Sequence, residues 1–177
     1  HTLKSYMFLD PDTSNAMTFQ NETGASGRWD PDGRFFYTSE IFQPELNLAP
    51  RHILKFVMNS RKTFNLTHDN YLEDANPVPS PDGELIAFER KSLQASLWTP
   101  GRQLWIMDPE GRQPQPLTDE PDYHHTAITW HPDRVRLVYV RYNNAVLSEA
   151  PEIWMIDRIN GEKVRLVING FAPRWLP

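Results

Sequence analysis

A chain of 177 residues with 39% apolar and 23% charged residues is about one domain's worth by the usual ~100–200 residues per domain, and its composition excludes a disordered polymer. Sixteen prolines, roughly 9% against a typical ~5%, exclude a helical bundle, and the absence of cysteine excludes disulfides, thiolate metal sites and cysteine nucleophiles. A net charge of −5 leaves no electrostatic footprint for nucleic acid or an anionic membrane, and no apolar run approaches the ~18 residues of a membrane span.

From the N-terminus, Tyr6-Met7-Phe8-Leu9-Asp10 and the stretch to Phe19 read as two strands around the polar turn Pro11-Asp12-Thr13. Arg28-Trp29-Asp30 leads into the triplet Pro31-Asp32-Gly33 and on to Phe35-Phe36-Tyr37. Proline presets φ, aspartate accepts a local backbone hydrogen bond and glycine takes positive φ, so the segment reads strand, tight turn, strand. Phe56-Val57-Met58-Asn59 reads as a third strand, and a weaker fourth ends at Leu66-Thr67. The series then recurs. Val78-Pro79-Ser80 precedes Pro81-Asp82-Gly83, Leu85-Ile86-Ala87-Phe88 follows, and Leu104-Trp105-Ile106-Met107-Asp108 and Leu117-Thr118 complete a second set. A third begins at Thr129-Trp130-His131, with Pro132-Asp133-Arg134 in the triplet's place, and runs through Ile153-Trp154-Met155-Ile156-Asp157 to Leu166-Val167.

The triplets are spaced 81 − 31 = 50 and 132 − 81 = 51 residues, and the Asp-terminated strands 157 − 108 = 49. Four short strands, a to d, in a period of ~40–50 residues are the signature of a β-propeller. The fold expected is therefore all-β, with four-stranded antiparallel blades: about three full blades plus two partial ones. The boundaries read as a partial blade of strands c and d over 1–24, blades over 25–73, 74–123 and 124–170, and strand a of a next or closing blade over 171–177.

Ser80-Pro81-Asp82-Gly83, Leu85-Ile86-Ala87-Phe88, Leu104-Trp105-Ile106-Met107-Asp108, Gly111 and Leu117-Thr118 together resemble one repeat of the TolB-like (WD-repeat-like) β-propeller family. The resemblance covers nearly the whole chain, although Asn59 stands for Asp in the first full repeat and Arg134 for Gly in the third. It implies an extracytoplasmic bacterial setting, periplasmic or secreted. Such repeats serve as periplasmic scaffolds, as propeller domains of peptidases and in some lyases, so the fold alone leaves function open. Propellers of this kind usually have six or more blades. Three explanations of the shorter count stand: a piece of a longer propeller, two chains pairing to complete the ring as a homo-oligomer, or a small four-bladed ring. His1 is not a natural start, and no signal peptide is read.

Strand order puts the tight a–b and c–d turns on one face and the long b–c and d–a connections on the other. The b–c connections read as Glu40–Arg51, Lys91–Arg102 and Asn143–Glu152. The d–a connections carry Asp69, Tyr71, Glu73 and Asp74 in one case and Asp122, Tyr123, His124 and His125 in the next. They predict an acidic, aromatic rim around the channel mouth, or else solvated turns with Tyr packed between blades. The b–c loops show Ile41, Phe42, Leu46 and Leu48, then Leu93, Leu97 and Trp98, a candidate protein-contact surface unless they fold over their own blade. The partner-binding candidates are Asp69, Tyr71, Glu73, Asp122, Tyr123, His124, Phe42 and Trp98.

No catalytic constellation is recognisable and no cofactor is implied. Gly24-Ala25-Ser26-Gly27 does not fit a nucleophile elbow, and no phosphate-binding glycine loop is present. His124, His125, His131, Asp122 and Asp133 are the densest set of potential ligands, but neighbouring His on a strand point to opposite faces. Asp10-Pro11-Asp12 and Asp119-Glu120-Pro121-Asp122 are only partial calcium patterns. Asn21-Glu22-Thr23 and Asn65-Leu66-Thr67 match glycosylation acceptors but read as ordinary turn and strand residues. The leading expectation is a non-enzymatic scaffold that binds a protein or peptide through its long-loop face, with no nucleic acid and no membrane span. The alternative is a propeller domain of an enzyme: the gating domain of a serine peptidase, or a polysaccharide lyase using channel-mouth histidines.

Overall fold

The computed structural model describes residues 5–9, 15–21, 23–42, 48–146 and 148–175. Asp10, Pro11, Asp12, Glu22, Leu46 and Pro177 lie outside the described residues. The described chain is all-β, fourteen strands in order: β1 (Ser5–Leu9), β2 (Ala16–Gln20), β3 (Arg28–Trp29), β4 (Phe35–Ile41), β5 (Arg51–Val57), β6 (Lys62–Asn65), β7 (Leu72–Pro79), β8 (Ile86–Ser92), β9 (Gln103–Met107), β10 (Gln115–Pro116), β11 (Tyr123–Trp130), β12 (Arg136–Asn143), β13 (Glu152–Asp157) and β14 (Lys163–Ile168). Strands β3–β6, β7–β10 and β11–β14 are three antiparallel meanders in a–b–c–d order, and β1–β2 form a separate c–d hairpin. A single parallel bridge, Arg51 to Glu73, stitches the first full blade to the second. The propeller expected from the repeat is the fold found.

Alternation builds the interfaces. In the middle blade, Ile86 and Phe88 of strand b and Trp105 and Met107 of strand c face the preceding blade, where they meet Phe35, Tyr37, Ile53 and Leu66. The intervening Ala87, Leu104 and Ile106 face the next blade and pack on Ile128, Trp130, Leu137, Tyr139 and Ile156. A period of two thus gives each blade two apolar faces, which one four-stranded sheet cannot bury alone. Each fully buried side chain of this size contributes about 1.5–3 kcal/mol. The N-terminal hairpin closes on the first full blade largely through aromatics: Tyr6 and Phe8 each meet Phe36 edge-on at 4.9 Å, Phe19 lies 5.0 Å from Phe56, and the Tyr6 and Thr38 hydroxyls hydrogen-bond at 2.8 Å. Across the last interface, the Trp130 indole N–H donates to the Val78 carbonyl at 2.9 Å.

The repeated motifs have local causes. Gly33 and Gly83 take φ of 67° and 72°, and Arg134 keeps φ at 65° in the third triplet, a left-handed position that costs a side chain of this kind about 1 kcal/mol. Its Asp133 accepts from the N–H groups of Val135 and Arg136 at 2.9 and 3.0 Å. Asp108 and Asp157, closing strand c, accept from Glu110 and Ile159 N–H in the same way. The Leu-Thr pair ends strand d because its threonine caps strand c: Thr67 Oγ1 accepts from Ile53 N–H and Thr118 Oγ1 from Leu104 N–H, both at 2.9 Å. The third blade, with Val167 in that place, lacks the means for this bond.

Strand a begins earlier than the sequence suggests. A blade cut between residues 73 and 74 falls inside β7, which starts at Leu72, and a cut after 123 removes the first residue of β11. Residues 172–175 occupy the expected position of an a strand but carry no ladder. The edge of Trp175 on the His131 ring, 4.3 Å between centroids, anchors them.

Candidate functional site

Two turns lead into the a strands of the second and third full blades. In each, the fourth residue's N–H returns to the first residue's carbonyl: Leu72 to Asp69 and Tyr123 to Glu120. The two tyrosines are therefore one position out of step. Tyr71 is the third residue of its turn and stands 51% exposed, while Asp69 Oδ1 accepts from its N–H at 2.8 Å. Tyr123 is the fourth residue and turns inward. The Arg141 guanidinium lies 3.3 Å from its ring centroid, and its hydroxyl donates to Glu149 at 3.0 Å. Asp122, at the position equivalent to Tyr71, is exposed.

Leu93 N–H donates to the Tyr71 carbonyl at 2.8 Å, tying the b–c loop of the second full blade to the turn that begins it. Beyond that tie the loop exposes Leu97 (61%) and Trp98 (54%). Lys91 Nζ rests over the Trp98 ring, 4.2 Å from its centroid. Gly101 ends the loop, with its N–H on the Pro121 carbonyl. A Cβ there would sit 1.9 Å from the Tyr123 carbonyl oxygen, so the loop's close approach to the next turn requires glycine. In the first full blade Phe42 instead folds down and stacks on His52, ring centroids 4.6 Å apart.

The remaining rim candidates lie inside the protein, because they belong to strand a. Glu73 is ion-paired with Arg102 at 2.7 Å and lies 3.9 Å from Arg51. Its neighbour Asp74 is buried and accepts both forks of Arg90, at 2.7 and 2.8 Å. His124 is buried, stacked on Tyr142, and accepts from the Asn144 amide at Nε2. Burial, reinforced by the Arg102 and Lys91 charges, lowers its pKa to about 4. His125 points to the other face, wholly buried, with Nδ1–H on the Arg102 carbonyl and Nε2 3.7 Å from Glu120, too long for a hydrogen bond. Glu120 also binds Arg141 and Lys163. Among the described residues no group of three or more His, Asp and Glu is placed to hold a metal ion.

The a strands themselves form a feature that the sequence did not flag. Residues from four of these segments (Ser26 and Arg28, Asn76 to Val78, Thr126 to Thr129, and Ala172 to Arg174) line one axial cleft of about 560 Å³. Asn76, Ala127 and Ala172 all have positive φ, 52°, 51° and 46°. They are spaced 127 − 76 = 51 and 172 − 127 = 45 residues, and each lies five residues before the proline that opens or would open a turn, at 81, 132 and 177. The ladders slip at the first two of these points, between Ala75 and Val78 and between Thr126 and Thr129. Behind the cleft, Glu89 is buried and accepts from Asn76 at 2.8 Å and Thr126 at 2.7 Å, clamping two bulges from neighbouring blades.

No protein-family model and no curated protein matches the chain. Solved structures similar to it are β-propellers. A putative TolB from Agrobacterium tumefaciens superposes with a TM-score of 0.64 at 18% identity, over 92% of this chain and 60% of that one. An oligogalacturonate lyase from Vibrio parahaemolyticus gives 0.64 at 16% identity, over 92% of this chain and 47% of that one. The β-propeller domain of the Trilobed protease from Pyrococcus furiosus gives 0.68 at 14%, over 95% and 47%. The chain thus spans about half to three-fifths of these relatives' length, and the likeness establishes a TolB-like propeller fold. Among the described residues no helix is long and apolar enough to cross a membrane.

Proposed function

We propose that the chain is a non-enzymatic propeller module that binds a protein or peptide partner through its long-loop face, in a periplasmic or secreted setting. The observation that carries this reading is the exposure of Tyr71, Leu97 and Trp98 on loops tied by the Leu93–Tyr71 hydrogen bond. Loops pinned to a rigid scaffold present such aromatics with little ordering cost on binding. Asp69 and Asp122 supply the polar rim, whereas Glu73, Tyr123, His124 and Phe42 support the surface from within. Panning a random-peptide phage library against the immobilised chain tests this. Selected peptides should lose at least about tenfold in affinity on Tyr71→Ala with Trp98→Ala, two exposed changes that leave circular dichroism unaltered. Unchanged affinity would reject the surface. The enzyme-domain reading gains no support from His124 and His125, which are enclosed rather than at the channel mouth.

The same reading includes self-association. Met7 (70% exposed) and Leu9 lie on the N-terminal hairpin, and Val164 and Val167 on β14, so blades at both ends present apolar side chains of the kind that inner blades bury. Light scattering over a concentration series is expected to show a mass that rises above the 20.7 kDa monomer. A constant monomer mass would exclude the second copy as the cover for these faces.

A further inference from the structure

The axial cleft has a charge character opposite to that of the molecule. The protein carries −5 overall, yet the twelve residues lining the cleft include Arg28 and Arg174 and no acid. Both arginines are exposed, and neither makes an ion pair with a carboxylate among the described residues. Arg34, Arg90, Arg102, Arg112, Arg136, Arg141 and Arg165 have carboxylate partners within 3.0 Å, whereas among the described residues Arg28 and Arg174, like Arg61 and Arg158 outside the cleft, have no ion pair with a carboxylate. The two cleft arginines come from opposite ends of the chain, 174 − 28 = 146 residues apart, and line one cleft because the a strands converge there.

The rest of the lining suits the same class of ligand. Ser26, Thr126 and Thr129 bring hydroxyl groups, and Asn76 an amide. At Asn76 and Ala127 a left-handed residue interrupts the ladder, and both residues line the cleft. Glu89 is withheld from the cleft: it lies behind the lining, with its Oε1 bonded to Asn76 and Thr126.

We propose that this cleft binds a small oxyanion, a polycarboxylate or a phosphate, through the guanidinium forks of Arg28 and Arg174. Each fork matches a pair of oxygens on such a ligand, and the surrounding hydroxyls take the rest. The site is separate from the Tyr71–Trp98 patch and does not depend on it.

Titration calorimetry of the 177-residue chain with citrate and with inorganic phosphate, at low ionic strength, tests the proposal. Saturable binding of at least one probe, at one per chain, is expected, and the tighter probe identifies which anion chemistry the cleft prefers. Arg28→Gln and Arg174→Gln should each weaken binding about tenfold, and together abolish it, while Arg28→Lys retains part of it. Both side chains are exposed, so circular dichroism should be unchanged. Arg112→Ala, at an exposed arginine outside the cleft, should bind as the parent does. Absence of saturable binding by both probes, or binding that survives the double Arg28→Gln/Arg174→Gln change, overturns the proposal.

Discussion

Asp74→Ala is expected to destabilise the protein by about 3–5 kcal/mol, read as a lower urea midpoint at unchanged slope. Asp74 is 1% exposed and grips both forks of Arg90, whose side chain is itself 11% exposed. Arg90 also lies over Phe88 and Trp105, 5.0 and 4.8 Å from their centroids, so it has no short route to water. Removing the carboxylate leaves a cation enclosed among aromatics, and that unpaired charge is the main cost. The double change Asp74→Leu with Arg90→Met should recover most of the loss, since an apolar pair of similar volume needs no partner. A cost below about 1 kcal/mol for Asp74→Ala would show that Arg90 finds water after all. The same pair explains why strand a of this blade starts before the acids: the chain must already be extended at Leu72 for Asp74 to face Arg90 across the ladder.

The repeat was legible because its signals are local. A Pro-Asp-Gly turn, an Asp closing strand c and a Leu-Thr ending strand d each act within a few residues of themselves, as the bonds at Asp108 and Thr118 demonstrate. The candidate surface was legible only in part, because exposure is decided by partners far along the chain. Glu73 and Asp74 look like loop acids until Arg102 and Arg90, 29 and 16 residues on, are placed beside them. Tyr71 and Tyr123 look equivalent in sequence, yet one residue of turn register sends one outward and the other beneath Arg141. The axial cleft left a fainter trace. Nothing in Ala127-Ile128-Thr129 announces a left-handed residue, and only its equal distance from the following proline to that of Asn76 could have marked it.

Acidification should weaken the fold before most carboxylates titrate, and His124 sets the window. Its pKa is lowered from 6.5 to about 4, first by burial and then by the Arg102 and Lys91 charges. The unfolded chain therefore binds a proton that the folded chain refuses. The contribution is complete above the unfolded pKa, is lost as pH falls from about 6.5 towards 4, and amounts to about 2 kcal/mol between roughly pH 7.5 and pH 5. Glu89 works in the opposite direction. Burial raises its pKa, against the hydrogen bonds from Thr126 and Asn76, so protonation relieves a cost that the folded state carries at neutral pH. His52, buried and with its pKa likewise lowered chiefly by burial, acts in the same direction as His124, so the slope of stability against pH sets the two histidines against Glu89, and single changes separate them. His124→Gln keeps an acceptor for the Asn144 amide but cannot titrate, and should flatten or reverse the slope. Glu89→Gln removes the compensating group and should steepen it. Urea midpoints for the three proteins at each pH are the measurement, and a full slope retained by His124→Gln would assign the acid sensitivity elsewhere. At lower pH the turn aspartates take over. Asp133, where partial burial is outweighed by the N–H groups of Arg136 and Val135, is held well below the usual carboxylate range, so its contribution is lost only as pH falls through that depressed value.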